Sequence, residues 1–220
     1  MLSSYELYRR LVMPASFLVV LFYAIYLVVR NGTISYQKAS GLAMFSGIVI
    51  FCFYSFIRLK ELLPVEEYGY DAVFFILLIL CFAWGGDTCA YFAGRAFGKH
   101  KLCPVVSPKK TVEGAIGGVL GTMVFGVVAT LIYSVAADRM EAFTRSNIGV
   151  SMYIIIALLA CVAAVLGIYG DLFASVVKRQ CGIKDYGTIF PGHGGILDRF
   201  DSVMFIAPFV TMVITAVFYQ

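Results

Sequence analysis

The sequence predicts an all-α, polytopic integral membrane protein, a helical bundle with about six transmembrane helices. Of the 220 residues, 61% are hydrophobic and 14% are charged, whereas soluble domains are nearer half apolar and a quarter charged. The mean hydropathy of +0.89 agrees with this composition. Long uncharged runs recur along the chain, and the strand-like alternation of a membrane barrel is absent, so helices are expected.

The helices follow from these uncharged runs in chain order. A helix needs about 20 apolar residues to cross the hydrocarbon core of a bilayer. Five runs reach or approach that length, and the third does so only if its helix continues past Asp87. The six runs are Leu11–Val29, Ala39–Ile57, Ala72–Gly86, Gly114–Ala137, Ser146–Gly170 and Ser202–Gln220. Because the first is long and lacks a small-residue cleavage site, it is expected to be a transmembrane helix and not a removable signal.

The distribution of basic residues predicts the orientation in the membrane. Eleven of the 17 lysines and arginines fall in the first, third and fifth connections between runs, and six fall in the N-terminus and the other two connections. The positive-inside rule then places the third and fifth connections in the cytoplasm and both termini outside. Since two helices separate these connections, they are expected to share one face of the membrane.

Four carboxylates lie at or within apolar runs: Asp87, Asp171, Asp198 and Asp201. Intramembrane ionisable groups are costly and therefore mark candidate functional sites. All four lie near run ends that face the third and fifth connections, and Asp198 and Asp201 have the i,i+3 spacing of one helix face. Crowded carboxylates need compensation. Ion pairs with nearby cations and a divalent cation such as Mg²⁺ both remain open.

Further polar side chains share helix faces with these carboxylates. Asp171, Ser175 and Lys178 have i, i+4, i+7 spacing, and Asp87 and Tyr91 have i,i+4 spacing. A bundle can therefore direct several carboxylates, a hydroxyl and an ammonium group into one cavity.

The third connection, FGKHKLCPVVSPKKTVEG (97–114), is rich in basic residues that include Lys109 and Lys110. Thr111 is the expected N-cap of the next helix, with Glu113 in its first turn. A helix N-terminus beside lysines binds anions, but a topogenic positive loop or attraction to anionic headgroups accounts for the composition equally well. The following GAIGGVLG (114–121) has small-xxx-small spacing, which predicts close helix packing and not a nucleotide loop.

The fifth connection, GIKDYGTIFPGHGGILDR (182–199), places five glycines around His193. Glycines let the backbone turn sharply and approach a ligand closely. His193 either donates a hydrogen bond to a phosphate or holds the loop in place.

At this point a family resemblance emerges. Residues 175–201, SVVKRQCGIKDYGTIFPGHGGILDRFD, resemble the signature of phosphatidate cytidylyltransferases, also called CDP-diacylglycerol synthases. A second block, GDTCAYFAGRAFGKHKLCPVVSPKKTVEG (86–114), is also similar to the family. The family commonly has a longer N-terminal part with additional spans. The resemblance implies N-terminal membrane helices in residues 1–70, shorter than is usual, and a catalytic membrane domain in residues 71–220.

The resemblance implies that CTP and phosphatidic acid react to give CDP-diacylglycerol and pyrophosphate, with Mg²⁺ as cofactor and a second metal ion as a further candidate. It implies a homodimer in the plasma or inner membrane, an active site facing the cytoplasm, and no nucleic-acid partner. The catalytic residues would be Lys178, Arg179, His193, Asp198 and Arg199. The substrate-binding residues would be Ser107, Lys109, Lys110, Thr111, Ser175, Lys184 and Asp185. The metal ligands would be Asp171, Asp198 and Asp201, with Asp87 as a further candidate.

Two other functions remain as alternatives. A cytidylyltransferase that acts on another lipid phosphate, such as an isoprenoid phosphate, would need the same headgroup chemistry. An ion-coupled transporter would also use intramembrane acids. Transporters often contain inverted repeats with interrupted helices, and no such internal symmetry is evident in this sequence.

Overall fold

The computed structural model of the chain describes residues 4–29, 35–139, 149–188 and 194–218. Its elements in chain order are α1 (Ser4–Val29), α2 (Tyr36–Leu62), α3 (Val65–Tyr68), α4 (Asp71–Phe97), β1 (Lys101–Cys103), β2 (Ser107–Thr111), α5 (Val112–Arg139), α6 (Val150–Gln180), α7 (Leu197–Phe200) and α8 (Val203–Phe218).

Over the residues that the structure describes, each of the six uncharged runs coincides largely with one helix: α1, α2, α4, α5, α6 or α8. Within the described residues, four helical segments are long and apolar enough to cross a membrane: Gln37–Leu62, Asp71–Phe97, Val112–Ala137 and Val150–Gln180. Two shorter apolar segments lie in α1 and α8. The predicted all-α membrane class is therefore confirmed, and the chain is an integral membrane protein. The helix α4 runs unbroken through Asp87, as its predicted length required.

The chain forms two compact units, Met1–Ile50 and Phe51–Gln220. In the first unit, α1 exposes apolar side chains such as Phe22 (72% exposed). Such surfaces are expected where a helix contacts lipid, because hydrocarbon solvates them as well as a protein core does. The second unit contains all of the described site residues.

The helix α4 is central to the second unit. It packs against α5, α6 and α8, and a continuous series of its side chains is buried: Phe74, Phe75, Leu78, Ile79, Phe82 and Ala83. At its N-terminal end, the buried Asp71 accepts a hydrogen bond from the hydroxyl of Tyr133 on α5 at 2.7 Å. The ring of Tyr133 stacks on Phe74 at 4.1 Å. These contacts hold α4 and α5 together at the end opposite the site.

Small residues let α4 and α5 approach closely at the other end, as the spacing of GAIGGVLG predicted. A Cβ added at Gly117 would overlap the Cβ of Ala93, and one added at Gly121 would overlap the side chain of Cys89. A Cβ at Gly118 would lie 3.0 Å from the Cβ of Ala90. The packing interpretation of these glycines is thus confirmed.

The third connection forms a β-hairpin, which the sequence analysis did not predict. Strand β1 pairs antiparallel with β2, with Lys101 opposite Thr111. The strands are only three and five residues long, too short to produce a recognisable alternation of polar and apolar residues. Thr111 caps α5 as predicted, because its hydroxyl accepts a hydrogen bond from the N–H of Gly114 at 3.1 Å.

Candidate active site

Three carboxylates from three separate elements meet at one end of the second unit. Asp87 comes from the C-terminal half of α4, Asp171 from α6, and Asp201 from the turn between α7 and α8. Asp171 lies close enough to Asp201 for its negative charge to act on that carboxyl group, and Asp87 lies close enough to Asp171 to be repelled by it. Ser202 connects the group, because its hydroxyl donates to Asp87 at 3.1 Å and its N–H donates to Asp201 at 2.9 Å.

This group carries a strong excess of negative charge. Burial raises the pKa of Asp201, and the negative charge of Asp171 raises it further. One cation offsets part of the charge, since the ammonium group of Lys110 on β2 forms an ion pair with Asp171. The contact joins the third connection to the end of α6 and confirms that the third and fifth connections share a face.

Glycines on α6 allow Asp201 to approach Asp171. A Cβ added at Gly170 would lie 2.6 Å from the carbonyl oxygen of Asp201, well inside van der Waals contact. One turn earlier, a Cβ at Gly167 would lie 3.0 Å from the side chain of Ile206 on α8. The missing side chains therefore leave the space in which the α7–α8 turn packs against α6.

Asp198 has different partners from Asp201. One of its oxygens accepts a hydrogen bond from Lys178 at 2.7 Å. The other accepts from the N–H of Tyr186 at 2.8 Å and the N–H of Gly195 at 2.9 Å. Burial alone would raise the pKa of Asp198, but these hydrogen bonds outweigh it and lower the pKa. The i,i+3 spacing suggested one shared face. Instead, the turn after α7 directs Asp201 to Asp171, while Asp198 binds Lys178 and the loop backbone.

Tyr186 joins the loop after α6 to that helix, a role which the sequence analysis missed. Its ring centroid lies 5.3 Å from the ammonium nitrogen of Lys178, and its hydroxyl donates to the carbonyl of Ala174 at 2.9 Å. Burial and the negative charge of Asp198 raise the pKa of Tyr186 to about 12, so the hydroxyl remains a donor at neutral pH. The sequence feature that could have indicated this role is the position of Tyr186 between Asp185 and Gly187 in the signature block.

A cavity of about 370 Å³ opens beside the carboxylates. Its charged lining comes from α4, α6 and the hairpin: Asp87, Arg95, Lys109, Lys110 and Asp171. Most of the remaining wall is aliphatic, aromatic or glycine. Of the four predicted carboxylates, only Asp87 and Asp171 line it. Arg95 was missed as a candidate, although its i+4 spacing from Tyr91 continues the face that begins at Asp87.

Glu113 organises the hairpin that carries Lys109 and Lys110. Its carboxylate accepts hydrogen bonds from the N–H groups of Lys99 at 3.1 Å and His100 at 3.2 Å. It also contacts the imidazole Nδ1 of His100 at 2.6 Å. These bonds join the start of α5 to the segment before β1, and so fix where β2 presents its lysines.

The other predicted site residues lie around this centre. Ser175 is buried and its hydroxyl is 3.4 Å from Asp171. Arg179 donates to the carbonyl of Ile183 at 3.4 Å.

The remaining predicted residues make fewer contacts with this centre. Lys184, Asp185 and Arg199 are exposed, and Ser107 is half-buried. The backbone carbonyl of Arg199 accepts a hydrogen bond from the indole of Trp84 at 3.1 Å. His193 lies outside the described residues. Thr111 lines the cavity, but its hydroxyl caps α5.

The donor atoms suit a hard cation, although they do not form a complete cage. Over the described ranges, no group of three or more His, Cys, Asp or Glu side chains is arranged to hold a metal ion. Mg²⁺ usually takes only one or two protein carboxylates and completes its shell with water and substrate phosphates. Two or three adjacent carboxylates with oxygen donors therefore fit Mg²⁺ chemically, and its binding stays a prediction.

Comparisons with known proteins point to one family. The profile described as "Cytidylyltransferase family" matches residues 1–217. The phosphatidate cytidylyltransferase of Bacillus subtilis (strain 168) is 33% identical over 198 residues, which cover 90% of this chain and 66% of that protein. The phosphatidate cytidylyltransferase of Staphylococcus haemolyticus is 40% identical over 144 residues, 66% of this chain and 50% of that protein. That of Staphylococcus saprophyticus is 41% identical over the same length. The chain thus spans between one half and about two thirds of these relatives.

Proposed function

Because the chain belongs to the cytidylyltransferase family, we propose that it is a CTP:phosphatidate cytidylyltransferase. In the proposed reaction, a phosphate oxygen of phosphatidic acid attacks the α-phosphorus of CTP. The bond between that phosphorus and the bridging oxygen to the β-phosphate breaks, and CDP-diacylglycerol and pyrophosphate form. The observation that carries the proposal is the meeting of carboxylates and cations from α4, α6, the hairpin and the α7–α8 turn beside one cavity.

The polar groups suit a reaction that needs no general base. A phosphomonoester has its second pKa near 6, so the attacking phosphate is largely dianionic at neutral pH. The main obstacle is the repulsion between two polyanions. We assign Lys109, Lys110 and Lys178 to contact phosphate groups of the two substrates. Preorganised cations offset the repulsion between these phosphates, and Lys178 would stabilise the charge that develops on the departing pyrophosphate. Asp198 and Tyr186 hold Lys178 in position.

Mg²⁺ is the proposed cofactor. When bound, a divalent cation neutralises phosphate charge and polarises the phosphoryl group. Asp171 and Asp201 are the proposed ligands, with Asp87 beside them, because their carboxylates are adjacent and underneutralised. Asp198 remains a candidate ligand, but in this structure both of its oxygens already accept hydrogen bonds. A second metal ion is also proposed, without an assigned set of ligands.

The location of the site suits one water-soluble and one membrane-bound substrate. Asp87 lies ten residues before the end of α4, and Asp171 lies nine residues before the end of α6. Both helices lead into the basic connections, which the positive-inside rule assigns to the cytoplasm. We propose that CTP enters from that side while the phosphate of the lipid lies at headgroup depth. A homodimer is proposed from the family resemblance alone, and a mass measurement of the protein in detergent tests it.

The direct test uses the purified full chain in mixed micelles with Mg²⁺. We expect label from [α-³²P]CTP to enter a chloroform-extractable product only when phosphatidic acid is present, and label from [γ-³²P]CTP to appear as pyrophosphate. An isoprenoid phosphate is assayed in parallel. Faster transfer to the isoprenoid phosphate would favour the other lipid substrate. Ion flux in proteoliposomes without cytidylyl transfer would instead support a transporter.

A further inference from the structure

We propose that Arg95 and Lys109 bind the phosphate of the lipid substrate within the cavity, and that they select a phosphomonoester headgroup over other lipid headgroups. This inference rests on the proposed function, and it divides the site between the substrates. The cavity takes the headgroup end of the lipid, while the cations near Lys178 serve the nucleotide.

The charges of the cavity support this division. Lys110 is paired with Asp171, whereas no hydrogen bond or ion pair connects the side chains of Arg95 or Lys109 to any other residue that the structure describes. Both line the cavity. Both residues are exposed, and cations without a counter-charge at the wall of a largely apolar cleft attract anions, because low-dielectric walls focus their field. An arginine also binds phosphate oxygens in a bidentate manner.

Arg95 lies in the same cavity as two of the carboxylates, Asp87 and Asp171. Arg95 follows Asp87 by eight residues on α4, which is about 12 Å along a helix axis at 1.5 Å per residue. Both residues line the same cavity, and because helical side chains lean toward the N-terminus of their helix, the side chain of Arg95 is expected to extend in the direction of Asp87. A phosphate bound by Arg95 and Lys109 would therefore lie in the same cavity as the carboxylates of Asp87 and Asp171.

The walls of the cavity favour a lipid over a nucleotide. They consist mainly of glycine, alanine and larger apolar residues such as Phe82, Leu102, Ile168 and Ile206. A cytosine ring and ribose would lose hydrogen bonds to water against such walls, at a cost in affinity. The first methylene groups of acyl chains lose none. At about 370 Å³ the cavity suits a headgroup and glycerol, so the acyl chains would extend past the exposed Tyr91 and Phe92 of α4 into the bilayer.

Binding measurements with the full chain in detergent test the inference. The probes are dioctanoyl phosphatidic acid and CTP, each titrated separately by calorimetry. We expect Arg95→Gln and Lys109→Gln each to weaken phosphatidic acid binding about tenfold or more, with CTP binding unchanged within twofold. Arg95→Lys keeps the positive charge, so its affinity for phosphatidic acid should be close to that of the wild type. In turnover assays, the KM for phosphatidic acid should rise in both glutamine variants while the KM for CTP stays constant.

Matched controls define the chemistry. Lys101→Gln removes an exposed cation from the same hairpin that does not line the cavity, and should leave both affinities unchanged. Dioctanoyl phosphatidylglycerol and dioctanoylglycerol should bind the wild type weakly, because they offer a single negative charge or none. Glycerol 3-phosphate distinguishes a lipid site from a general phosphate site. If it binds as tightly as phosphatidic acid, the apolar walls have no role and the assignment to lipid is wrong.

The remaining outcomes separate this inference from the proposed function. Loss of CTP binding in Arg95→Gln, with phosphatidic acid binding intact, would assign these cations to the nucleotide and overturn the inference. If both glutamine variants bind phosphatidic acid with normal affinity and normal KM, the assignment of Arg95 and Lys109 to the lipid phosphate is wrong. The proposed cytidylyl transfer would be unaffected by that result. A wild type that binds phosphatidic acid in an Arg95-dependent manner without transferring cytidylyl groups would uphold the lipid site and refute the reaction.

Discussion

At the scale of single residues, the contrast between Asp198 and Asp201 is the most informative feature of the site. The two side chains are three positions apart, yet one is neutralised by Lys178 and backbone N–H groups, and the other is buried against Asp171. Two side chains of the same type therefore have different roles, because they contact different partners. Asp198 holds the ammonium group of Lys178, whereas Asp201 belongs to the group of carboxylates that we propose to bind a cation.

Replacement of Asp201 tests the proposed cation site. Asp201→Asn keeps the size of the side chain and removes its charge, so we expect turnover to fall about 10²–10³-fold, the range seen when one electrostatic contact to a transition state is lost. The Mg²⁺ concentration for half-maximal activity should rise. The measurement is initial rate against Mg²⁺, with Glu67→Gln, an exposed acid on α3, as the control. Near-normal rates at saturating Mg²⁺ would remove Asp201 from the metal site.

Two replacements of Tyr186 separate its contacts. Tyr186→Phe loses the hydrogen bond to Ala174 and should cost about 1 kcal/mol of stability, the usual net value of one hydrogen bond. Tyr186→Leu also loses the cation–π contact with Lys178, worth about 0.5–2 kcal/mol. Only the leucine variant should lower kcat substantially, because it alone removes the ring contact that positions Lys178 and leaves the ion pair with Asp198 as its remaining support. Thermal unfolding and kcat are measured together. Equal kcat in both variants would show that the ring does not position Lys178.

At the scale of secondary-structure elements, the packing of α4 on α5 determines where the hairpin and the cavity lie. Because glycines on α5 lack side chains, Ala93 and Cys89 of α4 pack directly against the α5 backbone. At the N-terminal end of α4, the buried hydrogen bond from Tyr133 to Asp71 holds the two helices together. A glycine has the same effect on α6, where Gly170 allows the turn that carries Asp201 to pack closely against the helix. Missing side chains thus bring together segments that are distant in the sequence.

A larger residue at the α4–α5 contact should damage packing before chemistry. Gly117→Leu inserts a side chain where even a Cβ overlaps Ala93, and overpacking of this kind typically costs about 1–3 kcal/mol or more. We expect a lower melting temperature in detergent and a smaller yield of monodisperse protein. Ile116→Leu is the matched control, because Ile116 is 58% exposed. A normal melting temperature with only a reduced kcat would contradict the packing role.

At the scale of the whole molecule, the site lies in the halves of α4 and α6 that lead into the third and fifth connections. The Lys110–Asp171 ion pair places these connections on one side of the bundle. Which side of the membrane this is depends on the distribution of basic residues in all the connections. The orientation is therefore a prediction of its own.

Labelling of single cysteines tests the orientation. In a cysteine-free background, Val105→Cys lies at a 92% exposed position in the hairpin, and Glu67→Cys lies in the short helix α3 at the other end of α4. A membrane-impermeant maleimide should label Glu67→Cys in right-side-out vesicles and Val105→Cys in inverted ones. The reverse pattern would place the site outside the cytoplasm and would exclude direct access of cytoplasmic CTP.

The sequence by itself determined the membrane class, the helices, the Thr111 cap, the α4–α5 glycine contact and the shared face of two connections. Each of these follows from properties that are local: the length of an apolar run, the spacing of residues on a helix, or the preference of a capping side chain. The set of carboxylates was also predictable, since any charge within an apolar run is costly enough to stand out.

Only the tertiary structure decided how those residues are partnered. It separated Asp198 from Asp201, brought Ser202 to Asp87, and placed Arg95 in the cavity. It also paired the hairpin strands, which are too short to be recognised from their sequence. The physical reason is that these contacts join residues up to 115 positions apart. Their formation depends on how closely helices approach, and that distance is set by the side chains of both partners together.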